Sequence, residues 1–134
     1  MSSVVDERIG LKHGAGGRAM RRLIEESFHQ AFHTEPEIPA GLLGLSAMDD
    51  GAAMRIGDRW LVMTTDSHVI SPPFFPGGDI GRLSIAGTVN DLAMMGATEV
   101  LGLTCSVIIE EGFPRQDLDR IVASMRQACD EARA

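Results

Sequence analysis

Carboxylates recur where apolar segments of this chain begin or end. Asp49 and Asp50 precede one such run, Asp66 follows another, and Asp91 lies inside a third. Aspartates delivered by three separate segments are what Mg²⁺ wants: hard oxygen donors, few of them, with waters and substrate phosphates completing the octahedron. Taken singly, each is explained more simply by the habit of Asp of capping turns. Their joint order favours chemistry only if the fold gathers them. The second set is His13-Gly14-Ala15-Gly16-Gly17-Arg18. Glycines let backbone amides approach a phosphate, and a following helix N-terminus adds favourable partial charge. Gly14, Gly16 and Ala19 formally match a dinucleotide fingerprint, but no convincing strand precedes them and no ribose-binding acid is evident. A lid over phosphates and a plain hinge both remain open.

The element that must position Asp91 is residues 77–97, GGDIGRLSIAGTVNDLAMMGA. It reads as a helix with Asp79 as N-cap. Apolar positions at Ile80, Leu83, Ala86, Val89, Leu92, Ala93 and Met94 are compatible with one buried face. Gly87, Thr88 and Val89 are poor helix formers in succession, directly before Asn90 and Asp91. Broken local rules concentrate at working sites. The alternative, of equal weight, is that Gly87 serves close packing and Asp91 faces water.

Other elements alternate helix and strand. Arg18 to about Phe32 reads as a helix with Leu23, Ile24, Phe28 and Ala31 on one face. Pro36, Pro39 and Gly41 mark a loop, and Leu42 to Met48 a short strand. Gly51 to Ile56 and Arg59 to Thr65 form a hairpin around Gly57-Asp58. After the stiff SPPFFPGG loop and the Asp91 helix, Glu99 to Ile109 is β-rich. Pro114 opens a last helix with a stripe of Leu118, Ile121, Val122, Met125 and Cys129. This helix runs to Ala134 with no capping glycine, which reads as a cut end.

At 134 residues and 44% hydrophobic content, the chain can build one core and reads as a single domain. A net charge of −7 without a basic run argues against nucleic acid or an anionic membrane as partner. No signal-peptide core or run of transmembrane length is present, and two cysteines make no disulfide framework, so the expected compartment is the cytoplasm. His29 and His33 sit four apart, but Gln30 replaces the glutamate a zinc-protease pair needs, and a solvated face is the simpler reading. Met94-Met95 reads as core or interface filler, Phe74-Phe75 as packed beneath its loop, and Cys105 as an inert buried thiol. Glu110-Glu111 before Gly112 reads as a solvated turn.

HGAGGRAM, MDDGAAM, TTDSHVISPPFFPGGDIG, GTVNDLAMMGA and IIEEGFP occur in that order. Together, over residues 10 to 125, they resemble the N-terminal half of the HypE carbamoyl dehydratases, maturation factors of [NiFe]-hydrogenase. That family belongs with aminoimidazole ribonucleotide synthetase, selenophosphate synthetase and thiamine-monophosphate kinase. The Asp-Asp, Thr-Thr-Asp and Asn-Asp-Leu-Ala elements are common to the superfamily, whereas the TTDSHVISPPFFPGGDIG and HGAGGR runs point to HypE.

The resemblance implies an α+β, PurM-like domain: a small sheet with helices on one face, its strands pairing across a homodimer into a barrel. It implies an MgATP-dependent dehydration of a protein thiocarbamate to a thiocyanate. Asp49, Asp50, Asp66 and Asp91 would hold Mg²⁺ and the phosphates, with Asp91 and Asn90 nearest the chemistry. His13 and the loop Gly14, Gly16, Gly17 would close over ATP, and Thr65, Ser67 and His68 would line the pocket. Partners implied are the carbamoyltransferase HypF and the HypC–HypD scaffold. Family members continue into a second domain ending in an acceptor cysteine, which Cys105 and Cys129 do not match. The expectation is therefore a dimerising, partial ATP-binding half, inactive alone. A small-molecule kinase or synthetase of the same superfamily and a non-catalytic assembly module are the alternatives.

Overall fold

A computed structural model describes residues 8–32 and 41–134. Two compact units divide the chain, Met1–Ile38 and Pro39–Ala134. In the first, a 3₁₀ turn at Leu11–His13 is closed by the Gly10 amide, which donates to His13 Nδ1 at 2.9 Å. Gly16 then takes a left-handed φ of +72°, open to glycine without strain. Helix α1 (Arg18–Leu23) starts at Gly17, widens into a π-helical stretch at Ile24–His29, and finishes as α2 (Gln30–Phe32). The helix predicted from Arg18 to Phe32 is thus present in extent, but not as one regular α-helix. Its expected apolar face is open: Leu23 and Ile24 are half-buried while Phe28 is exposed. Ion pairs Arg21–Glu25 at 3.0 Å and Arg22–Glu26 at 2.7 Å lace the solvent side. His33 lies outside the described residues.

The second unit carries the strands. β1 (Leu42–Leu43), β2 (Ala52–Ile56) and β3 (Arg59–Met63) form an antiparallel sheet in that order, with Ala52 opposite Met63 and Ile56 opposite Arg59. The predicted turn at Gly57-Asp58 is there, Gly57 supplying the positive φ of +64° that a tight hairpin needs. The strand expected over Leu42 to Met48 stops at Leu43. Gly44 gives way to a 3₁₀ turn at Leu45–Ala47, and Met48, left-handed at φ 50°, redirects the chain into Asp49-Asp50. A second ribbon pairs β4 (Phe74–Phe75) with β5 (Gly78–Asp79), which keeps both phenylalanines half-buried. The architecture is α+β, with its strands confined to small antiparallel sheets.

Helix α3 (Ile80–Met94) begins as expected: Asp79 Oδ1 accepts the Arg82 amide at 3.0 Å. Of the expected face, Leu92 is buried and Ile80 and Val89 are half-buried, but the rest is not. Gly81, Ile85 and Leu92 are inside, whereas Leu83, Ala86 and Met94 are exposed. The reason is α4 (Arg115–Ala132), which docks where α3 has no side chain. A Cβ at Gly81 would collide with the Ile121 carbonyl and stand 2.9 Å from Met125 Cγ. Ala128 completes this core, and Arg120 lies 4.1 Å over the Phe74 ring, tying α4 to the short ribbon. Pro114 precedes the first turn of α4 instead of opening it.

Residues 99–109 carry no strand partner among the described residues, so this β-rich run is not a strand here. Leu101, Val107, Ile108 and Ile109 are exposed, and Cys105 is exposed instead of buried. Glu110-Glu111-Gly112 is the solvated turn expected, with Gly112 at φ +87°. Among the described residues no helix is long and apolar enough to cross a membrane.

Candidate functional site

Strand β3 ends at Met63 and releases a loop, residues 64–73, that runs against the middle of α3. This juxtaposition builds the site. The Thr64 hydroxyl donates to the Asp50 carbonyl oxygen at 2.8 Å and stands 3.4 Å from Asp91 Oδ2. One side chain therefore links the Asp49-Asp50 corner, the strand end and α3. Gly51 makes the corner tight: a Cβ there would sit 2.8 Å from the Met63 carbonyl oxygen and 3.3 Å from Met95 Cγ. Two residues after Thr64, Asp66 also faces α3. Its Oδ1 accepts the Ser67 amide at 2.7 Å, and its Oδ2 lies 3.2 Å from His68 Nε2. His68 in turn rests on α3 at Gly87, one helical turn before Asp91.

Asp50, Asp66 and Asp91 are thus carried by segments that touch one another, as the sequence requires for a shared site. Asp91 is half-buried; Asp49, Asp50, Thr65, Asp66 and Ser67 are exposed. Asp49 is turned to its own corner, its Oδ1 accepting the Asp50 amide at 3.3 Å. Among the described residues no three His, Cys, Asp or Glu side chains converge closely enough to hold a metal ion. The donor set itself consists of exposed or half-buried carboxylate oxygens, the chemistry Mg²⁺ accepts with water in its remaining positions.

Asn90 does not join Asp91. One residue along a helix is a rotation of about 100°, and Asn90 instead lines a shallow groove of about 230 Å³ between α3 and α4 with Arg82 and Glu131. There the Arg82 guanidinium meets the Glu131 carboxylate, Nη1 donating to Oε1 at 3.2 Å. That hydrogen bond, with a further one from Gln127, holds Glu131 below the ordinary glutamate range, and Glu131 raises Arg82 in return. His13, Gly14, Gly16 and Gly17 belong to the other unit, where Gly17 caps α1 and His13 closes its 3₁₀ turn.

A wide groove of about 1110 Å³ runs beside the acidic corner, between β3 and residues 95–104, and Thr65 and Asp66 open onto it. Thr64 is the residue that sequence reasoning passed over in favour of Thr65. Its signal was parity: Thr64 and Asp66 are two apart and both reach α3, as alternate residues of an extended segment do.

Residues 48–134 match the family of AIR synthase related proteins, N-terminal domain. The chain belongs to that family. The matched span begins at the acidic corner and contains the loop, α3 and α4, so the site lies wholly within the AIR synthase related domain. Among curated relatives, the chain is 51% identical over 129 residues to carbamoyl dehydratase HypE of Rhizobium leguminosarum bv. viciae, covering 96% of this chain and 34% of that protein. It is 53% identical to carbamoyl dehydratase HypE of Cupriavidus necator, covering 93% of this chain and 33% of that protein. A putative hydrogenase expression/formation protein of Methanocaldococcus jannaschii is 47% identical, with 93% of this chain and 36% of that protein covered. The resemblance read from the motifs is therefore to the right family. The chain spans about a third of the length of these relatives.

Proposed function

We propose that this chain supplies part of the MgATP site, and the pairing surface, of an ATP-dependent carbamoyl dehydratase that serves [NiFe]-hydrogenase maturation. The observation that carries the reading is the seating of the 64–68 loop on α3, which brings Asp66 and Asp91 to one side of the fold beside the Asp50 corner. Similarity to carbamoyl dehydratases along nearly the whole chain supports the reaction class.

In that reaction ATP phosphorylates the oxygen of a protein S-carboxamide. Loss of phosphate with the two amide protons then leaves a thiocyanate. An amide oxygen is a poor leaving group and phosphate a good one, so positioning and charge neutralisation dominate the catalysis. Mg²⁺, when bound, would neutralise phosphate charge. Asp49, Asp50, Asp66 and Asp91 are the residues that would hold it. Thr64 links the Asp50 corner to α3 beside Asp91, and Thr65, Ser67 and His68 would flank the phosphates. His13, Gly14, Gly16 and Gly17 are the residues of the first unit proposed to contact nucleotide phosphate. Asn90, on the other side of α3, serves the site only through the helix.

The exposed apolar residues of β3 and 99–109, Trp60, Met63, Val107 and Ile108 among them, fit a homodimer in which strands pair between copies. HypF and the HypC–HypD scaffold are the proposed partners and the cytoplasm the proposed compartment. Calorimetric titration of the chain with ATP, with and without Mg²⁺, tests the site. Mg²⁺-dependent binding that Asp91→Asn weakens by roughly tenfold, the value of a charge-assisted contact, is the expected result. Binding indifferent to both Mg²⁺ and Asp91→Asn would overturn it.

A further inference from the structure

Gly87 occupies the middle of α3, where alanine is the better helix former. The space it leaves is taken up by the His68 ring, with Asp66 behind it. A Cβ at position 87 would stand 2.6 Å from His68 Nε2, 3.2 Å from His68 Cε1 and 3.6 Å from Asp66 Oδ2. His68 is turned inward, its side chain 15% exposed, between the exposed neighbours Ser67 and Val69. The atom pressed closest to Gly87 is the same Nε2 that lies 3.2 Å from Asp66 Oδ2, while the other Asp66 oxygen takes the Ser67 amide.

We propose that Gly87 is a seat for the His68 ring, and that the seated ring makes His68 a positioning residue for Asp66. The missing side chain admits the imidazole against the helix, and the imidazole, with the Ser67 amide, holds the carboxylate in one orientation. What Asp66 then does rests on the MgATP reading above; the seat stands on geometry alone. A helix that gives up its best residue at this point gains a fixed carboxylate one turn from Asp91.

The test is a double-mutant cycle on this chain, Gly87→Ala, His68→Ala and both, followed by thermal unfolding and by Mg²⁺-dependent ATP titration. Gly87→Ala is expected to lower Tm in the parent, where the new methyl meets the ring. In the His68→Ala background it is expected to raise Tm, because only helix propensity remains. Additive Tm shifts would overturn the seat, and the double variant keeps that reading available if Gly87→Ala fails to fold. For affinity, Gly87→Ala and His68→Ala should each weaken ATP binding about tenfold and together no further, with His68→Asn restoring part through its amide donor. Unchanged affinity in His68→Ala despite a shifted Tm would overturn the positioning role. If the parent chain binds no MgATP, the proposed function fails. Asp66 is then read from its carboxyl ¹³C resonance, which both single variants displace if the ring holds it and leave in place if it does not.

Discussion

The α3–α4 pair and the hairpin with its trailing segment solve the same problem in opposite ways. Between α3 and α4, Gly81 lets the backbones approach, Ile85 and Ala128 are 8% and 6% exposed, and Arg120 covers Phe74 from outside. The helices bury their own apolar surface. Across β3 and residues 99–109 the reverse holds: Met63 is 49% exposed and Ile108 97%. Large apolar side chains left this exposed are what the proposed pairing would cover. The helix pair is covered by its own side chains and the strand region is not, and substitutions should separate folding stability from the pairing proposed for the strand region.

The largest expected effect is at Gly81. Alanine there meets a backbone carbonyl, which cannot rotate aside as a side chain can, so Gly81→Ala should cost about 3 kcal/mol by chemical denaturation. A loss below about 1 kcal/mol would mean the helices can slide apart freely, and the contrast between the two regions would collapse.

Ile108→Ser probes the other side. Its folding stability should stay within about 0.5 kcal/mol of the parent, as for other exposed positions. Self-association measured by sedimentation velocity should weaken by roughly tenfold, the value of one buried isoleucine. Unfolding of the monomer by this change would place residues 99–109 in the core of a single chain instead.

Glu131→Gln carries the smallest effect and has a signed pH dependence. Arg82 holds Glu131 below its ordinary value, so the folded state binds fewer protons than the unfolded one there. The contribution is present above the ordinary glutamate range and is lost as pH falls through the depressed folded value. Arg82, raised, stays charged throughout that window. The variant should be slightly less stable than the parent at neutral pH, and the two should converge in acid when Tm is followed against pH. A gap that persists in acid would assign the effect to Gln127 packing and not to the charge pair.

Much of this was legible from local chemistry. The Asp79 cap, the Gly57-Asp58 turn and the solvated turn at Glu110-Glu111-Gly112 each depend on a few neighbouring residues, and each is where the sequence puts it. Misreadings arose where a distant element makes the choice. Helix α3 is apolar on more than one side, and periodicity cannot say that α4 will dock at Gly81 and Ile85 and leave Leu83 exposed. Residues 99–109 have the β-branched composition of a strand, yet a strand exists only against a partner. At the candidate site, TTDSH was singled out from the sequence, but Thr64 was passed over for Thr65 because only the approach of α3 distinguishes their two sides. Asn90 was carried over with Asp91 from the family motif, whereas on α3 it lines the groove with Arg82 and Glu131.

Trp60, opposite Arg55 on the hairpin, is the single tryptophan of a chain without tyrosine. This residue is 57% exposed, far in character from the buried helix pair. Ultraviolet emission from this molecule is therefore an optical gauge of wetting at one surface. It shifts to the blue when something settles on the sheet, and it stays dark to events confined between the two long helices.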